Sequence, residues 1–376
     1  MNEVLHSEGG LNMNTKITIG SVVFSNDSPC VVIAEGCDNH NGSLNKAKEI
    51  AQAAKESGAD MVKFQLHLPH EEMLRREMEE ASGSMFSKWG SLWGFIEQNL
   101  LTPDEHYELM QWCNKIGIQY FCTPFSLKAA ELLNSMGVEG FKIGSGETED
   151  LPFIEEVAKM GKPIMLSTGM TEDFELDIAV NRIRESGGND FPLMLAHCVS
   201  TYSPKNTGEL HLGCIKMLTE RYKLITGLSD HTPPEGIRGS DGRVITEESI
   251  MWAALSLGAK FVEKHFTLDR NTPDADSHFS HDPKTLKSLI SYMRDAEVAL
   301  NGEKKLFEEE RPVWVWAKRS LVTSCSVKKG TILNRAMITS KRPGTGIRSI
   351  DYRQVLGKTL VRDVPENTML KWEDLV

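Results

Sequence analysis

The sequence predicts a (β/α)8 TIM barrel followed by a small β-rich domain. Eight short apolar runs, beginning at residues 31, 61, 119, 141, 164, 193, 224 and 261, each end in polar or ionisable residues, and a helical pattern follows each run. Strands buried on both faces are continuous apolar runs, and eight of them alternating with helices are typical of this barrel. Its chemistry lies at the carboxyl ends of the strands, so the polar run ends are candidate site residues.

The predicted elements follow in chain order. The strands are 31–33, 61–65, 119–123, 141–145, 164–168, 193–197, 224–227 and 261–265. The helices are 44–57, 103–116, 126–136, 150–160, 171–187, 208–222, 246–257 and 283–300, several opened by a Ser, Thr or Asp cap or by Pro. Segments 16–19 and 22–24 flank a Gly-Ser turn and predict a lead-in hairpin. Two long loops, 69–101 and 232–245, follow barrel strands and are expected on the catalytic face.

The domain organisation follows from length. The 376 residues exceed one typical barrel of about 250 residues, so a second unit is expected at the C-terminus. We predict a barrel domain at residues 1–300, of which 1–29 are a tail and the hairpin, then a charged linker at 301–313 and a small domain at 314–376. The small domain is expected to contain short strands at 320–323, 331–333 and 359–361.

Composition argues against two classes of partner. A net charge of -11 without clustered Lys and Arg excludes a nucleic-acid footprint. The first fifteen residues lack an apolar core and no run of about 18 apolar residues follows, so neither a secretory signal nor a membrane span is expected. The seven cysteines form no CxxC pair, which fits reduced thiols. A cytoplasmic protein is therefore predicted.

Two histidines at strand ends predict a metal site. His231 and His265 follow the seventh and eighth strands, which are neighbours in a barrel. Two imidazoles leave a divalent cation with open positions for water and a substrate oxygen, as suits a Lewis acid that polarises a carbonyl. Glu263 and Asp230 are expected to orient the ligands or the metal-bound water. The alternative is that each histidine only hydrogen-bonds a neighbouring loop.

Two lysines within apolar strands predict an anion pocket. Lys63 and Lys142 lie in strands two and four, and a lysine is seldom buried without a partner, so both are expected to bind phosphate or carboxylate at the barrel mouth. Hydroxyl groups at the same level add donors, although each alone is equally well explained as a helix cap. These hydroxyl residues are Thr123, Ser145, Ser167 and Ser229.

Eight motifs, in order and at consistent spacing, resemble the sialic acid synthase family, and residues 314–376 are similar to its antifreeze-like (SAF) domain. The first four are Ala34-Glu35 with Asn39-His40-Asn41-Gly42, Val62-Lys63-Phe64-Gln65, Thr123-Pro124-Phe125, and Phe141-Lys142-Ile143 with Ser145-Gly146-Glu147. The others are Leu166-Ser167-Thr168-Gly169-Met170, Ser229-Asp230-His231-Thr232, Glu263-Lys264-His265-Phe266-Thr267 and Lys341-Arg342-Pro343-Gly344-Thr345-Gly346.

The resemblance implies a transferase that condenses phosphoenolpyruvate with an N-acylated hexosamine, either N-acetylmannosamine or a diacetamido-dideoxy hexose. The products would be a nine-carbon 2-keto sugar acid of the sialic or legionaminic type and phosphate. It also implies a divalent cofactor, Mn2+ first and Mg2+ or Co2+ as alternatives. The expected assembly is a domain-swapped homodimer, in which the small domain of one subunit covers the partner's barrel mouth.

Residue roles are carried over from the same resemblance. The implied catalytic residues are Glu35, Lys63, Lys142, His231 and His265, the last two of which bind the metal. Phosphoenolpyruvate would contact Lys63, Thr123, Lys142, Ser145, Ser167 and Ser229. The sugar would contact Glu35, Gln65, Tyr202 and Asp276, with Arg342 from the neighbouring subunit. Without the resemblance, Glu35 could equally cap a turn, Tyr202 anchor a loop and Arg342 be solvated.

The chain departs from the family pattern in two places. The family's Ala-Glu-Ile-Gly appears as Ala34-Glu35-Gly36-Cys37, which changes the loop but keeps Glu35. Asp276-Ser277 with Phe279-Ser280 resembles the pseudaminic acid branch, whereas Ser145-Gly146-Glu147 resembles the sialic and legionaminic branch, so the acceptor stays open. The alternative interpretations of the sequence are a pseudaminic acid synthase, another phosphoenolpyruvate-aldehyde synthase, a pyruvate aldolase and a non-catalytic glycan-binding protein.

Overall fold

The structure, a computed structural model, describes residues 16–81, 90–272 and 276–376. Its first elements are β1 Lys16–Ile19, β2 Val22–Ser25, β3 Val31–Glu35, α1 Leu44–Ser57, β4 Met61–Leu66, α2 Pro69–Glu72, α3 Arg75–Ala81, α4 Leu92–Asn99, α5 Pro103–Ile116, β5 Gln119–Pro124, α6 Leu127–Met136, β6 Phe141–Ile143 and α7 Leu151–Lys159. Then follow β7 Ile164–Ser167, α8 Asp173–Gly187, β8 Leu193–Cys198, α9 Gly213–Tyr222, β9 Ile225–Asp230, β10 Ile237–Arg238, β11 Val244–Ile245, α10 Glu247–Ser256, β12 Phe261–His265 and α11 Pro283–Leu300. The last are α12 Arg311–Ala317, β13 Ser320–Thr323, β14 Ile338–Lys341 and α13 Tyr352–Val355.

Eight parallel strands form a nearly closed barrel, which confirms the predicted fold. Neighbouring strands pair in the order β5-β4-β3-β12-β9-β8-β7-β6, and β5 and β6 at the two ends lie against each other. Helices lie between the strands in sequence, and their apolar side chains pack with the outward-facing strand residues in one core. All eight predicted strands are present, although β6 ends at Ile143 and Ser145–Glu147 form a 3-10 turn instead.

Alternation along the strands divides the barrel interior into an apolar floor and a polar mouth. Successive side chains on a strand point to opposite faces, so every second residue points inward. The inner apolar cluster contains strand residues and three residues of the predicted hairpin β1–β2: Ile17, Ile19, Phe24, Val31, Ile33, Met61, Phe121, Met165, Met194, Ala196, Ile225 and Phe261. The next inward positions toward the carboxyl ends are polar, namely Glu35, Lys63, Thr123, Ser167 and Glu263.

Most helices begin and end where their caps predict. Thr102 opens α5 with a reciprocal capping box: the Glu105 N–H donates to its hydroxyl over 3.3 Å, and the Glu105 carboxylate accepts from the Thr102 N–H over 2.8 Å. Gly117 ends α5 at φ +76°, a left-handed conformation that favours glycine. The predicted helix 208–222 begins only at Gly213, because His211 has φ +46° and cannot continue a right-handed helix from the 3-10 turn Thr207–Glu209.

The two predicted long loops contain secondary structure. Segment 69–101 contains α2, α3 and α4, and its residues 82–89 lie outside the described part of the chain. Ser91 caps α4, since its hydroxyl accepts from the Gly94 N–H over 3.1 Å, and the α4 side chain of Trp93 is buried. Segment 232–245 contains the two-residue strands β10 and β11, paired antiparallel. Among the described residues no helix has the length and apolar character needed to cross a bilayer.

The chain divides into two compact units, Met1–Asn301 and Gly302–Val376. In the second unit, β13 and β14 pair antiparallel over a core that includes Leu321, Ile338 and Leu360. The strand predicted at 320–323 is present, but those at 331–333 and 359–361 are wrong: they form isolated bridges, including Ile332 to Thr359. Strand β14 was not predicted, and helix α12 runs across residue 313, where the linker was expected to end.

Candidate active site

A cavity of about 760 Å³ lies at the carboxyl ends of the barrel strands. All the predicted site residues of the barrel line it, because the strand ends and the loops after them converge on the mouth. These residues are Glu35, Lys63, Gln65, Thr123, Lys142, Ser145, Ser167, Tyr202, Ser229, His231, His265 and Asp276. The fold therefore brings together side chains that are up to 241 residues apart, as between Glu35 and Asp276.

Two buried lysines form one side of the cavity. Lys63 donates to the Thr123 hydroxyl over 3.1 Å, and Lys142 donates to the Ser167 hydroxyl over 2.8 Å. Both side chains are almost fully buried, so their charges act at short range in a low-dielectric setting. The other two predicted hydroxyls have intramolecular partners: Ser145 accepts from the Gly169 N–H, and Ser229 donates to Glu263 over 3.1 Å.

Glu263 is the counter-charge that holds the lysines together. Its carboxylate oxygens lie 3.8 Å from Lys63 Nζ and 3.4 Å from Lys142 Nζ. Burial raises the pKa of Glu263, but Lys142 and Lys63 outweigh burial and lower it to about 2. Burial likewise lowers the pKa of Lys63, and the carboxylates of Glu263 and Glu35 more than reverse that effect. The sequence predicted a role for Glu263 beside the metal, whereas the structure places it between the two cations.

Glu35 connects the lysines to the histidines. In the barrel register it lies opposite Lys63 on β4 and opposite His265 on β12. One carboxylate oxygen forms an ion pair with Lys63, and the other accepts from the Cys37 N–H over 2.6 Å. The predicted alternative, that Glu35 caps a turn, is thus part of what it does.

The two predicted metal-binding histidines are neighbours in space. Their ring centres are 5.2 Å apart, and the Tyr202 ring lies 4.3 Å from that of His231. His231 Nδ1 lies 3.0 Å from the Val199 carbonyl oxygen, to which it donates, so Nε2 carries the free lone pair. Burial and the neighbouring His265 lower the pKa of His231 to about 4, which leaves the ring neutral at pH 7. A neutral imidazole is the form that binds metals.

A compact group of possible metal ligands lies beside His231. One ligand atom each of Cys37, His265 and Asp276 lies within 4.8 Å of the other two. The Asp276 carboxylate oxygen is 3.1 Å from Cys37 Sγ and 3.1 Å from His265 Nδ1. His265 Nδ1 is buried and forms no hydrogen bond with any described residue. These donors fit a divalent cation. The sequence predicted His265 and missed Cys37, whose only signal was its departure from the family pattern.

A second polar cluster at the cavity wall was also missed. His67 Nδ1 lies 2.9 Å from a Glu72 oxygen and Nε2 lies 3.2 Å from the Gln65 oxygen, while the ring stacks on Phe125 with ring centres 4.2 Å apart. Burial lowers the pKa of His67, but the hydrogen bond to Glu72 outweighs it and the pKa is raised. The oxygen of Gln65 is thereby occupied, and its amide nitrogen is left to donate to a ligand.

Asp230 does not lie with the metal ligands as expected. It accepts from Lys264 over 2.7 Å and from the Thr232 hydroxyl over 2.8 Å. Lys264 also lies 2.5 Å from Glu247, which in turn lies 2.8 Å from His281 Nε2. The side chain of Lys264 alternates with those of Glu263 and His265 and so points outward, behind the cavity wall. This buried network supports the strands that present the histidines.

Arg342, the predicted contribution of a neighbouring subunit, belongs to the second unit. It is exposed at the end of β14, and its guanidinium carbon lies 5.6 Å from the ring centre of Trp316 on α12. A role in the site stays a prediction.

An eight-stranded barrel with buried lysines, imidazoles and carboxylates at the carboxyl ends of its strands is typical of barrel enzymes. The NeuB family matches residues 50–305, and the SAF domain matches residues 318–376. The chain belongs to the NeuB family, as its motifs indicated, and carries a C-terminal SAF domain.

Named relatives cover nearly the whole chain. It is 33% identical over 351 residues to N,N'-diacetyllegionaminic acid synthase of Legionella pneumophila, covering 92% of this chain and 94% of the relative. It is 34% identical over 358 residues to pseudaminic acid synthase of Helicobacter pylori, covering 92% and 98%. It is 30% identical over 351 residues to human N-acetylneuraminate-9-phosphate synthase, covering 93% of each.

Two solved structures are similar to this chain over most of its length. The Leptospira borgpetersenii N-acetylneuraminic acid synthetase, solved with citrate, aligns with a TM-score of 0.65 and 28% identity, covering 79% of this chain and 94% of that one. The Bacillus subtilis spore coat polysaccharide biosynthesis protein aligns with a TM-score of 0.63 and 27% identity, covering 96% and 99%.

Proposed function

We propose that this protein is a metal-dependent nonulosonic acid synthase, which condenses phosphoenolpyruvate with the open-chain aldehyde of an N-acylated hexosamine. The single observation that carries the proposal is the pair of buried lysines placed within one cavity beside His231, His265 and Asp276. A phosphorylated enol acid needs fixed cations, and an aldehyde acceptor needs a group that polarises its oxygen. The named relatives support the same class of product.

The lysine side of the cavity is proposed to bind phosphoenolpyruvate. Lys63 and Lys142 supply charge for its phosphate and carboxylate, and the hydroxyls of Thr123 and Ser167 already contact these ammonium groups. Ser145 and Ser229 line the same cavity and would add hydroxyl donors. Glu263 lies within 3.8 Å of both ammonium groups and holds them close together before the substrate arrives. Preorganised charge of this kind costs no reorganisation during the reaction.

The histidine side is proposed to receive the sugar aldehyde. His231 and His265 would hold a divalent cation, Mn2+ first among the candidates, with Mg2+ or Co2+ as alternatives. That cation supplies Lewis-acid polarisation of the aldehyde oxygen. Glu35, Gln65, Tyr202 and Asp276 line the same cavity and would orient the sugar.

The proposed reaction balances without an oxidant or reductant. C3 of phosphoenolpyruvate forms a bond to the aldehyde carbon, and the aldehyde oxygen takes up a proton. Water adds at C2, and the C2–O bond to phosphate breaks. The products are a nine-carbon 2-keto sugar acid and inorganic phosphate. Glu35, which lies between Lys63 and His265, is placed to move a proton between the two halves of the cavity.

The test uses the full chain with Mn2+ and phosphoenolpyruvate against N-acetylmannosamine, its 6-phosphate and the diacetamido-dideoxy hexoses. We expect inorganic phosphate to appear only when an acceptor is present, together with a 2-keto acid whose mass equals the acceptor plus pyruvate. The acceptor that turns over separates the sialic, legionaminic and pseudaminic alternatives. Turnover with pyruvate in place of phosphoenolpyruvate would instead indicate an aldolase and contradict the proposal.

We also propose a homodimer in which Arg342 from the partner's SAF domain completes the sugar site. Support comes from its exposed position beside Trp316 and from its Arg-Pro-Gly motif. Removing residues 313–376 should abolish condensation, whereas Arg342→Lys should mainly raise the KM for the sugar, because lysine lacks a planar fork of donors. Light scattering of the full chain checks the dimer, and a fully active truncated barrel would contradict the role of Arg342.

A further inference from the structure

Cys37 occupies an unusual place in the barrel mouth. It follows β3 two residues after Glu35, its side chain is buried, and its backbone has φ +34°, a conformation uncommon for residues other than glycine. The motif that this loop resembles has glycine at this position, so the thiol is a feature of this chain. The Sγ atom lies 3.1 Å from an oxygen of Asp276.

The neighbours of Cys37 are those that a cation needs. His265 Nδ1 lies 3.1 Å from the same Asp276 oxygen, is buried, and forms no hydrogen bond within the described residues. Imidazole nitrogen, thiolate sulfur and carboxylate oxygen are donor types that divalent cations bind in proteins. Sulfur, imidazole nitrogen and carboxylate oxygen then converge within 4.8 Å of one another, and the ring of His231 is next to that of His265.

We infer that Cys37 is a metal ligand, joining His265 and Asp276 as donors to the divalent cation of the proposed function. The inference rests on that function only for the position of the cation. On binding, the thiol loses its proton to solvent and bonds as a thiolate. A thiolate makes the site softer than one built from imidazole and oxygen alone, so Zn2+ and Co2+ should bind more tightly than Mn2+ or Mg2+.

The competing explanation is that Cys37 only donates a hydrogen bond to Asp276 and never contacts a metal. A bond from sulfur to Co2+ separates the two explanations, since it produces a thiolate-to-metal charge-transfer absorption in the near ultraviolet. Imidazole and carboxylate ligands do not produce that absorption. The readout needs neither phosphoenolpyruvate nor a sugar, and so it does not depend on whether the protein catalyses the proposed condensation.

The experiment titrates the full-length protein, stripped with a chelator, with Co2+ and records its absorption spectrum. We expect the wild type to bind one Co2+ per chain and to show the charge-transfer band. Cys37→Ser should lose this band, keep the visible Co2+ bands and bind Co2+ about tenfold or more weakly. His265→Ala should weaken binding further. The matched control is Cys113→Ser, a buried cysteine of α5 outside the cavity, which should keep the band.

Two results would overturn the inference. One is a wild-type Co2+ complex without the charge-transfer band, or no Co2+ binding at all. The other is a band that survives in Cys37→Ser. Circular dichroism checks that each variant is folded. Phosphate release from phosphoenolpyruvate and an acceptor is measured in parallel and tests the proposed function separately. An active synthase without the charge-transfer band would contradict only the assignment of Cys37 as a ligand.

Discussion

At the scale of single residues, the cavity is built around charges that need one another. Lys63 and Lys142 share Glu263, and Glu35 pairs with Lys63. Removing one partner of a buried pair leaves an uncompensated charge, so substitutions here affect both binding and folding. For variants at these positions, the kinetic constants therefore have to be measured for each substrate, in addition to the overall activity.

Lys142→Met tests the anion pocket. Methionine keeps most of the apolar stem but removes the ammonium group that contacts Ser167 and Glu263. We expect kcat/KM for phosphoenolpyruvate to fall by about 100-fold or more, the scale of a lost electrostatic contact to a reacting group. Steady-state kinetics with each substrate varied in turn is the measurement. Lys128→Met, an exposed lysine on α6, is the control, and an unchanged kcat/KM for phosphoenolpyruvate in Lys142→Met would refute the assignment.

His67→Asn tests the positioning of Gln65. The variant removes the ring that joins Glu72 to the Gln65 oxygen, so the amide of Gln65 loses its fixed orientation. The KM for the sugar should rise about tenfold, matching the loss of a charge-assisted hydrogen bond of ~1.5 kcal/mol, while the KM for phosphoenolpyruvate stays constant. Equal changes in both constants would point to a general structural role for His67.

Residues of the site differ in how far the sequence predicted them. His231, His265 and the lysines end or interrupt apolar runs, which marks them without any knowledge of contacts. Cys37 and His67 carry no such mark, because their partners Asp276 and Glu72 are set by loop geometry and by the unpredicted helix α2. A contact between distant loops leaves no periodic trace in a sequence.

At the scale of elements, burial explains which strands the sequence predicts. The barrel strands are buried on both faces and so consist mostly of apolar residues. Strand β14 was missed because Ile338 is its one fully buried residue among Ile338–Lys341, which gives no alternation. Leu360 packs in the small core and Ile332 is exposed, and both form isolated bridges in place of the predicted strands.

Lys264→Met tests the network behind the cavity. The ammonium group of Lys264 contacts Asp230 and Glu247, and so links β12 to β9 and to α10. The variant removes the ammonium counter-charge that two buried carboxylates share, and we expect the free energy of unfolding to fall by about 3–5 kcal/mol. Urea denaturation followed by circular dichroism measures it. Adding Asp230→Asn and Glu247→Gln should recover part of the loss, and a variant as stable as the wild type would contradict the network's role.

At the scale of the whole molecule, the order of the elements was more predictable than the site. Eight strand–helix repeats leave few topologies other than a barrel. Length then required a second unit. The secondary structure inside the long loops escaped prediction because α2, α3 and α4 are at most 8 residues long, too short for a helical period to stand out.

Stability of the barrel should fall in mild acid. Burial lowers the pKa of His40 to about 4 and that of His106 to about 3, from 6.5 in the unfolded chain. Unfolding therefore takes up protons below pH 6.5, so each histidine removes ~1.4 kcal/mol per pH unit as the pH falls from 6.5 toward its folded pKa. Urea midpoints at pH 7, 6 and 5 measure the slope.

His106→Gln supplies the matched comparison. His106 Nδ1 lies 2.8 Å from the Tyr120 hydroxyl, and glutamine can hydrogen-bond there without titrating. The variant should show a pH dependence shallower by about one proton. Identical slopes in the wild type and in His106→Gln would show that His106 is not a source of the acid sensitivity.

The hairpin β1–β2 closes the amino-terminal end of the barrel interior. Ile17, Ile19 and Phe24 plug the amino-terminal side of the barrel, and the Phe24 ring meets that of Phe261 edge-on at 5.9 Å. Among the described residues, the cavity opens at the carboxyl ends of the strands, opposite the hairpin. In the proposed reaction, both substrates would therefore enter, and both products would leave, through the mouth at the carboxyl ends of the strands.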